Sequence, residues 1–263
     1  MKHLLLIICG LTISSICFAQ EFCGAGNTSF KAGENLTFKV YYNLGKMFVG
    51  AGEATFTSKL EKYGGHDVYH VTGEGKTFRT YDWIFKVRDK YESYIDTATM
   101  KPLRFIRNVN EGGYKISQNV VFNHDAHTAT NEKGAVFKTP PCVQDVISAI
   151  YYARNIDFSK YKPNDKIPLT MFLDDEVYNI YIRYIGKEEV NTKFGKFRAI
   201  KFKPLLIKGT IFEGGEKMTV WVSDDANKVP LRVDSPISVG SIKVDMVGYS
   251  NLRWGFTSLI NKR

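Results

Sequence analysis

Polar and apolar residues alternate along most of this chain. Leu36, Phe38, Val40 and Tyr42 are interleaved with Thr37, Lys39 and Tyr41. That period of two puts one face of a strand in a core and the other in water. The same pattern predicts strands at 52–57, 67–72, 83–87, 90–95, 102–107, 114–122, 167–172, 177–185, 197–202, 218–222, 231–233 and 241–247, with a short hairpin about Gly134. Turn-forming runs such as Gly64-Gly65, Asn110-Glu-Gly-Gly113 and Ser223-Asp-Asp-Ala-Asn-Lys-Val-Pro230 separate them. The expected fold is all-β and antiparallel, with roughly 15 strands in a strongly curved open barrel or a two-sheet structure.

One stretch breaks the alternation. In TPPCVQDVISAIYYAR, residues 139–154, Val143, Val146, Ile147, Ile150 and Tyr151 recur at helical spacing. Gln144, Asp145, Ser148 and Tyr152 fall mainly on the other side. Pro140 and Pro141 precede it, Asp145 suits the first turn and Arg154 the last. This predicts one central amphipathic helix from about Cys142 to Arg154. So short a helix is stable only if its apolar stripe docks on a sheet. It either plugs the concave face as core or covers an apolar pocket there. In the second case Val146, Ile147, Ile150 and Tyr151 would line a ligand site, with Trp83 and Phe85 nearby.

The N-terminus changes the picture of where such a fold works. Residues 1–19, MKHLLLIICGLTISSICFA, join a basic head, an apolar run and small residues before Gln20, the form of a secretory signal peptide. Acylation of Cys17 as a lipoprotein signal is disfavoured by the bulky Ile16. A mature chain of 263 − 19 = 244 residues would form a single β-rich domain over 20–263. No later stretch has the roughly 20 apolar residues of a membrane helix. A periplasmic or secreted location follows, without nucleic acid as a partner. Removing Lys2 takes the formal charge from +9 to +8, a surface that attracts polyanions such as lipid headgroups. Cys23 and Cys142 are the cysteines left after cleavage, and in an oxidising compartment they are a candidate disulfide.

Candidate chemistry is sparse. His66 and His70 on one strand lie about 13 Å apart, too far for one metal. His124 and His127 flank Asp125 in a turn; surface turn histidines are the simpler reading, so no metal or cofactor is expected. Asp174-Asp175 and Asp224-Asp225 sit in turns that Asp stabilises by bonding its own backbone. No nucleophile elbow, phosphate loop or HExxH pattern occurs, and a catalytic site is not expected. The densest polar run, Asp89 to Asp96 with Arg104, Arg107 and Glu111, suggests cross-strand pairs of Asp89 or Glu92 with Arg104 or Arg107. The 15 tyrosines and 18 phenylalanines suit large apolar faces with wet rims.

VRDKYESYID (87–96), P-x-x-F-x-R from Pro102 to Arg107, EGGYK (111–115), the helical stretch, WVSDDANKVPLRV (221–233) and VGSIKVDM (239–246) together resemble the exported bacterial proteins grouped as domain of unknown function 3108. The resemblance covers most of the chain after residue 19. It implies a mainly β, exported protein of Bacteroides-like bacteria without an assigned activity. The W-x-x-D-D-x-x-x-x-P turn is also similar to the lipoprotein-localisation carriers, whose open barrel holds acyl chains under helices; this chain departs from them in having one strong helix. The expected function is a non-enzymatic envelope protein binding a lipid-like or amphipathic ligand. Recognition of a glycan or another envelope protein is the alternative, and an envelope hydrolase the third reading.

Overall fold

The computed structural model describes residues 24, 26–45, 47–207, 214–237 and 239–262. The signal-peptide reading and Cys23 lie outside the described residues.

Before the helix come β1 (Asn35–Leu44), β2 (Met47–Tyr63), β3 (His66–Thr77), β4 (Arg88–Asp96), β5 (Pro102–Glu111), β6 (Tyr114–Asn123), β7 (Thr128–Thr130) and β8 (Val136–Lys138). The helix α1 spans Val146–Ala153. After it come β9 (Lys166–Leu173), β10 (Glu176–Asn191), β11 (Gly195–Pro204), β12 (Thr219–Ser223), β13 (Pro230–Pro236), β14 (Ser241–Ser250) and β15 (Leu259–Lys262). All join one antiparallel sheet in the order β8-β7-β6-β5-β4-β3-β2-β1-β14-β13-β12-β11-β10-β9, with β15 on β11. The sheet is therefore two meanders, each built of neighbouring hairpins. They are sewn together by one long-range pair, β1 with β14, in which Val40 faces Val244. The alternation in the sequence is the cause: most strands have one face to bury, and curling the sheet buries those faces inward, while β9, β11 and β12 are buried on both faces.

That topology leaves β8 and β9 as edges, and α1 lies between them in sequence. The edges curl toward each other. Phe172 of β9 packs edge-on to Phe122 of β6, with ring centres 6.0 Å apart, and lies 5.7 Å from Phe137 of β8. The chain just before α1 covers the β9 edge: Gln144 N donates to Thr170 O at 2.9 Å, and Phe172 N donates to Gln144 O at 2.8 Å. An uncovered edge would be free to pair with another chain. The interruption in the strand pattern thus has a structural answer: the segment about α1 closes the seam of the curled sheet.

Two apolar clusters result. The larger joins Val71, Ile95, Phe105, Phe172 and Phe202 from the sheet with Ile147, Tyr151 and Tyr152 of α1. The second forms where the β10–β11 hairpin and the C-terminal segment meet β1, β13 and β14, around Leu36, Phe38, Phe197, Leu231 and Met246.

Two expectations need correction. Residues 83–87 are not a strand. A one-turn 3-10 helix at Arg79–Tyr81 begins the connection there, and Asp82 bonds Thr77 and Arg88 across its neck. The expected ion pairs of Asp89 or Glu92 with Arg104 or Arg107 are not formed either. Tyr91 stands opposite Arg107 and Tyr94 opposite Arg104. Arg104 instead bonds Asn119, and Glu92 bonds His70.

Candidate functional site

The face of the sheet that carries α1 is the candidate site. α1 is clamped at both ends. At its start, Asp145 is the N-cap: Oδ1 accepts from Ile147 N at 2.7 Å and Ser148 N at 2.8 Å, while Asp145 N donates to Ser148 Oγ. Ser93 of β4 donates to the other carboxylate oxygen at 2.6 Å. The Asp-x-x-Ser spacing makes this reciprocal cap possible. Burial pushes the Asp145 carboxyl up to about 6 despite those hydrogen bonds. At the far end Arg154 is buried. It donates to both oxygens of Glu34 at 2.5 and 2.8 Å and to Asn227 O at 3.1 and 3.0 Å. Its guanidinium lies 5.4 Å from the Phe30 ring and 5.1 Å from the Tyr151 ring.

These clamps rotate the helix. Ile147, Ser148, Tyr151 and Tyr152 are buried, Val146 is half-buried and Ile150 is 37% exposed. The buried face is thus turned about 100°, one residue, from the expected stripe. Asp145 and Ser148 are drawn inward to Ser93, and Ile150 is turned out. Val143 is buried but precedes the helix. The Ile147 side chain reaches Gly73 of β3, where an added Cβ would lie 3.2 Å from Ile147 Cδ1 and 3.0 Å from the Phe56 ring.

Trp83 and Phe85 do not join this group. They are 83% and 44% exposed. They precede the end of β4 remote from Ser93, roughly 16 Å along that strand.

Away from α1 the same face is less completely covered. Cross-strand pairing aligns Phe202, Val220, Val233, Val244 and Val40 over five strands. The first two are buried and the last three half-buried. Alongside runs Asp89–Gly75–Ala54–Phe38. A Cβ placed on Gly75 would meet nothing within 4 Å. Where β10 and the chain after β11 part, Tyr178, Ile180, Leu205, Leu206 and Ile207 line an open cleft of about 420 Å³.

A polar cluster borders this surface. Asp89 accepts from Asn110 N at 3.0 Å. Burial, and then the neighbouring Glu111, push its carboxyl up to about 6. Burial, and then Asp89, push the Tyr91 phenol up to about 12. Arg107 is buried and pairs with Asp174 in the β9–β10 turn, which Gln118 also bonds at 3.3 Å. Asp175 bonds Asn131 at 2.8 Å. The turn carboxylates thus tie β10 to β5, β6 and the β7–β8 turn. Asp225 caps its own turn, accepting from Ser223 Oγ, Asn227 N and Ser258.

The histidines are engaged singly. His66 bonds Asp96, His70 lies between Glu61 and Glu92, and His124 meets the Pro102 carbonyl. Among the described residues no three His, Cys, Asp or Glu side chains converge as a metal site. Cys142 is disulfide-bonded.

The family model for proteins of unknown function DUF3108 matches residues 37–247. The chain belongs to the DUF3108 family. No protein of curated function matches it. Among solved structures, a β-barrel-like protein of the DUF1849 group from Brucella abortus aligns with a TM-score of 0.57 at 8% identity, over 85% of this chain and 99% of that one. At that identity the likeness shows the fold alone. A Bacteroides fragilis protein with a YmcC-like fold, taken to be exported, aligns at 14% identity over 86% of this chain and 99% of its own. A protein of Parabacteroides distasonis taken to be a lipoprotein aligns at 10% identity over the same shares. Both have TM-scores of 0.32, too low to add to the fold assignment. As a DUF3108 member the chain is mostly β, one large open antiparallel sheet with a barrel-like neighbour.

Proposed function

We propose that this DUF3108 protein is an exported, non-enzymatic protein of the cell envelope that binds a lipid-like or amphipathic ligand on the α1-bearing face of its sheet. The observation that carries the reading is the partly exposed apolar strip across β13, β14 and β1, on the face that α1 covers at β3, β4 and β9. Val40, Val233 and Val244 keep partial exposure on a face that is otherwise core, and Gly75 has open space above it. A concave, mostly apolar surface with a few convergent polar groups suits such a ligand. Asp89, Tyr91 and Arg107 stand at its border for the polar end. Ile147 and Tyr151 pack beneath its helix side as core, while Val146 and Ile150 lie toward its outer margin. Export rests on the signal-like residues 1–19. Cys23 is the partner we assign to Cys142.

A fluorescent fatty-acid probe tests the reading. Gly75→Phe projects a ring into the space that an added Cβ finds open; the variant should melt within a few degrees of wild type while probe affinity falls about tenfold or more. Unchanged affinity in a folded variant rejects the site. Glycan recognition is the second reading. It draws on the opposite face, where the Tyr63 and Tyr94 rings lie 5.0 Å apart and Arg104 sits 5.9 Å from each.

A further inference from the structure

We propose that the β3–β4 connection is a docking element for an anionic bilayer surface. It presents Trp83, Ile84 and Phe85 in succession, 83%, 59% and 44% exposed, and Tyr114 of the adjoining β5–β6 turn is 51% exposed. A loose loop would fold such side chains away from water. This one is braced outward. Arg88 grips both Asp82 oxygens at 3.0 and 2.6 Å, and Val87 N donates to Thr77 Oγ1 at 3.0 Å. Gly112 N donates to Lys86 O at 2.9 Å, and the Phe85 ring rests against Gly112. The tip is therefore held by the same turn that carries Tyr114.

Charge selects the partner. Asp82 is paired with Arg88 and also feels the charge of Lys86, whereas Arg79 and Lys115, which flank the apolar tip, form no ion pair with a carboxylate among the described residues. Tryptophan and tyrosine rings favour the headgroup level of a bilayer, and cations beside them gain from anionic lipids. The hairpin turns β1–β2 and β13–β14 point to the same end of the sheet and add Phe48 and Val239, 50% and 61% exposed. An apolar tip with basic flanks on a rigid neck fits a soft, negatively charged interface. The inference goes beyond ligand binding, since a protein with an empty interior would dock equally well.

The test is co-sedimentation of the full chain after residue 19 with phosphatidylglycerol-containing vesicles, beside vesicles of phosphatidylcholine alone. Wild type should bind the anionic vesicles, more weakly at high salt, and brominated lipid should quench its tryptophan fluorescence. Trp83→Ser/Ile84→Ser changes exposed side chains and should leave the melting temperature unaltered. Its vesicle affinity should drop about 10- to 100-fold, the loss of two interfacial apolar side chains. Arg79→Gln/Lys86→Gln should weaken binding to anionic vesicles and flatten the salt dependence. Absence of wild-type binding, or undiminished binding by Trp83→Ser/Ile84→Ser, overturns the proposal. Capture of a glycan or protein by the wild-type tip with no vesicle binding overturns it too. Fatty-acid probe affinity is read separately, so a failure of docking is distinguishable from a failure of the interior site.

Discussion

Replacing Arg154 with alanine should destabilise the protein more than almost any other single change near α1. Its guanidinium is 2% exposed and the Glu34 carboxylate 0%. The two share a pair of hydrogen bonds, and Arg154 also supplies both donors that satisfy Asn227 O. Removal leaves Glu34 charged and buried with its counter-ion gone, a loss of about 3–5 kcal/mol. In urea, with a slope near 3 kcal/mol per molar, the midpoint should fall by about 1–2 M. The informative companion is Arg154→Met/Glu34→Leu. Here both charges vanish together and neither pays desolvation, so stability should return to within about 1–2 kcal/mol of wild type. Urea titrations followed by circular dichroism give all the values. If Arg154→Ala unfolds within about 1 kcal/mol of wild type, the clamp at the C-terminal end of α1 does not carry the weight assigned to it. If the double variant is as weak as Arg154→Ala, the loss comes from the hydrogen bonds to Asn227 O, which both variants lack, rather than from an orphaned charge.

Asp145 should impose a pH dependence of unusual sign. Its carboxyl is raised from 3.8 to about 6 by burial, so the folded chain keeps a proton that the unfolded chain releases above pH 4. The stabilisation is fully present below the unfolded value and is lost as pH rises through 6. Relative to Asp145→Asn, wild type should therefore lose about 2–3 kcal/mol between pH 4 and 7, at about 1.4 kcal/mol for each pH unit between the unfolded and folded values; parallel stability profiles in urea reject this. Gly73→Val should lower stability by about 1–3 kcal/mol through overpacking against Phe56 and Ile147, and a melting temperature at or above the wild-type value counts against the docked position of Ile147. Cys142→Ser should cost roughly 4–5 kcal/mol if its disulfide closes the 142 − 23 = 119 residue loop. Non-reducing peptide mapping should yield one linked fragment containing Cys23 and Cys142, and any other pairing refutes the assignment.

The meander was legible because it is local. Leu36-Thr-Phe-Lys-Val-Tyr-Tyr42 states its own period, and glycine or Asp-rich turns set most of the strand ends. Even the small hairpin about Gly134 could be read, and it appears as β7 and β8. What misled was chemistry that depends on a distant partner. Trp83-Ile-Phe85 has β-strand composition, but the Thr77–Asp82–Arg88 neck turns the chain there and leaves those side chains in water. The short β15 lacks a pattern of its own and exists through its pairing with β11. Helical spacing found α1 but not its rotation, because the inward pull on Asp145 comes from Ser93, 52 residues earlier. Nor did spacing reveal Glu34, which meets Arg154 across 120 residues. Gly75 reads as an ordinary strand glycine; its significance is the space above it once the sheet has curled. The signal missed was two small residues facing each other on neighbouring strands, Gly75 on β3 and Ala54 on β2, where the space is left open.

The proposed function requires that the interior hold a ligand in the cell. Native mass spectrometry of the protein isolated from its own envelope should show the chain with an added mass of a few hundred daltons or more, released by detergent and identified as an amphipathic lipid. A spectrum containing only the bare chain, under conditions in which a control lipid-binding protein keeps its cargo, would contradict the proposed function.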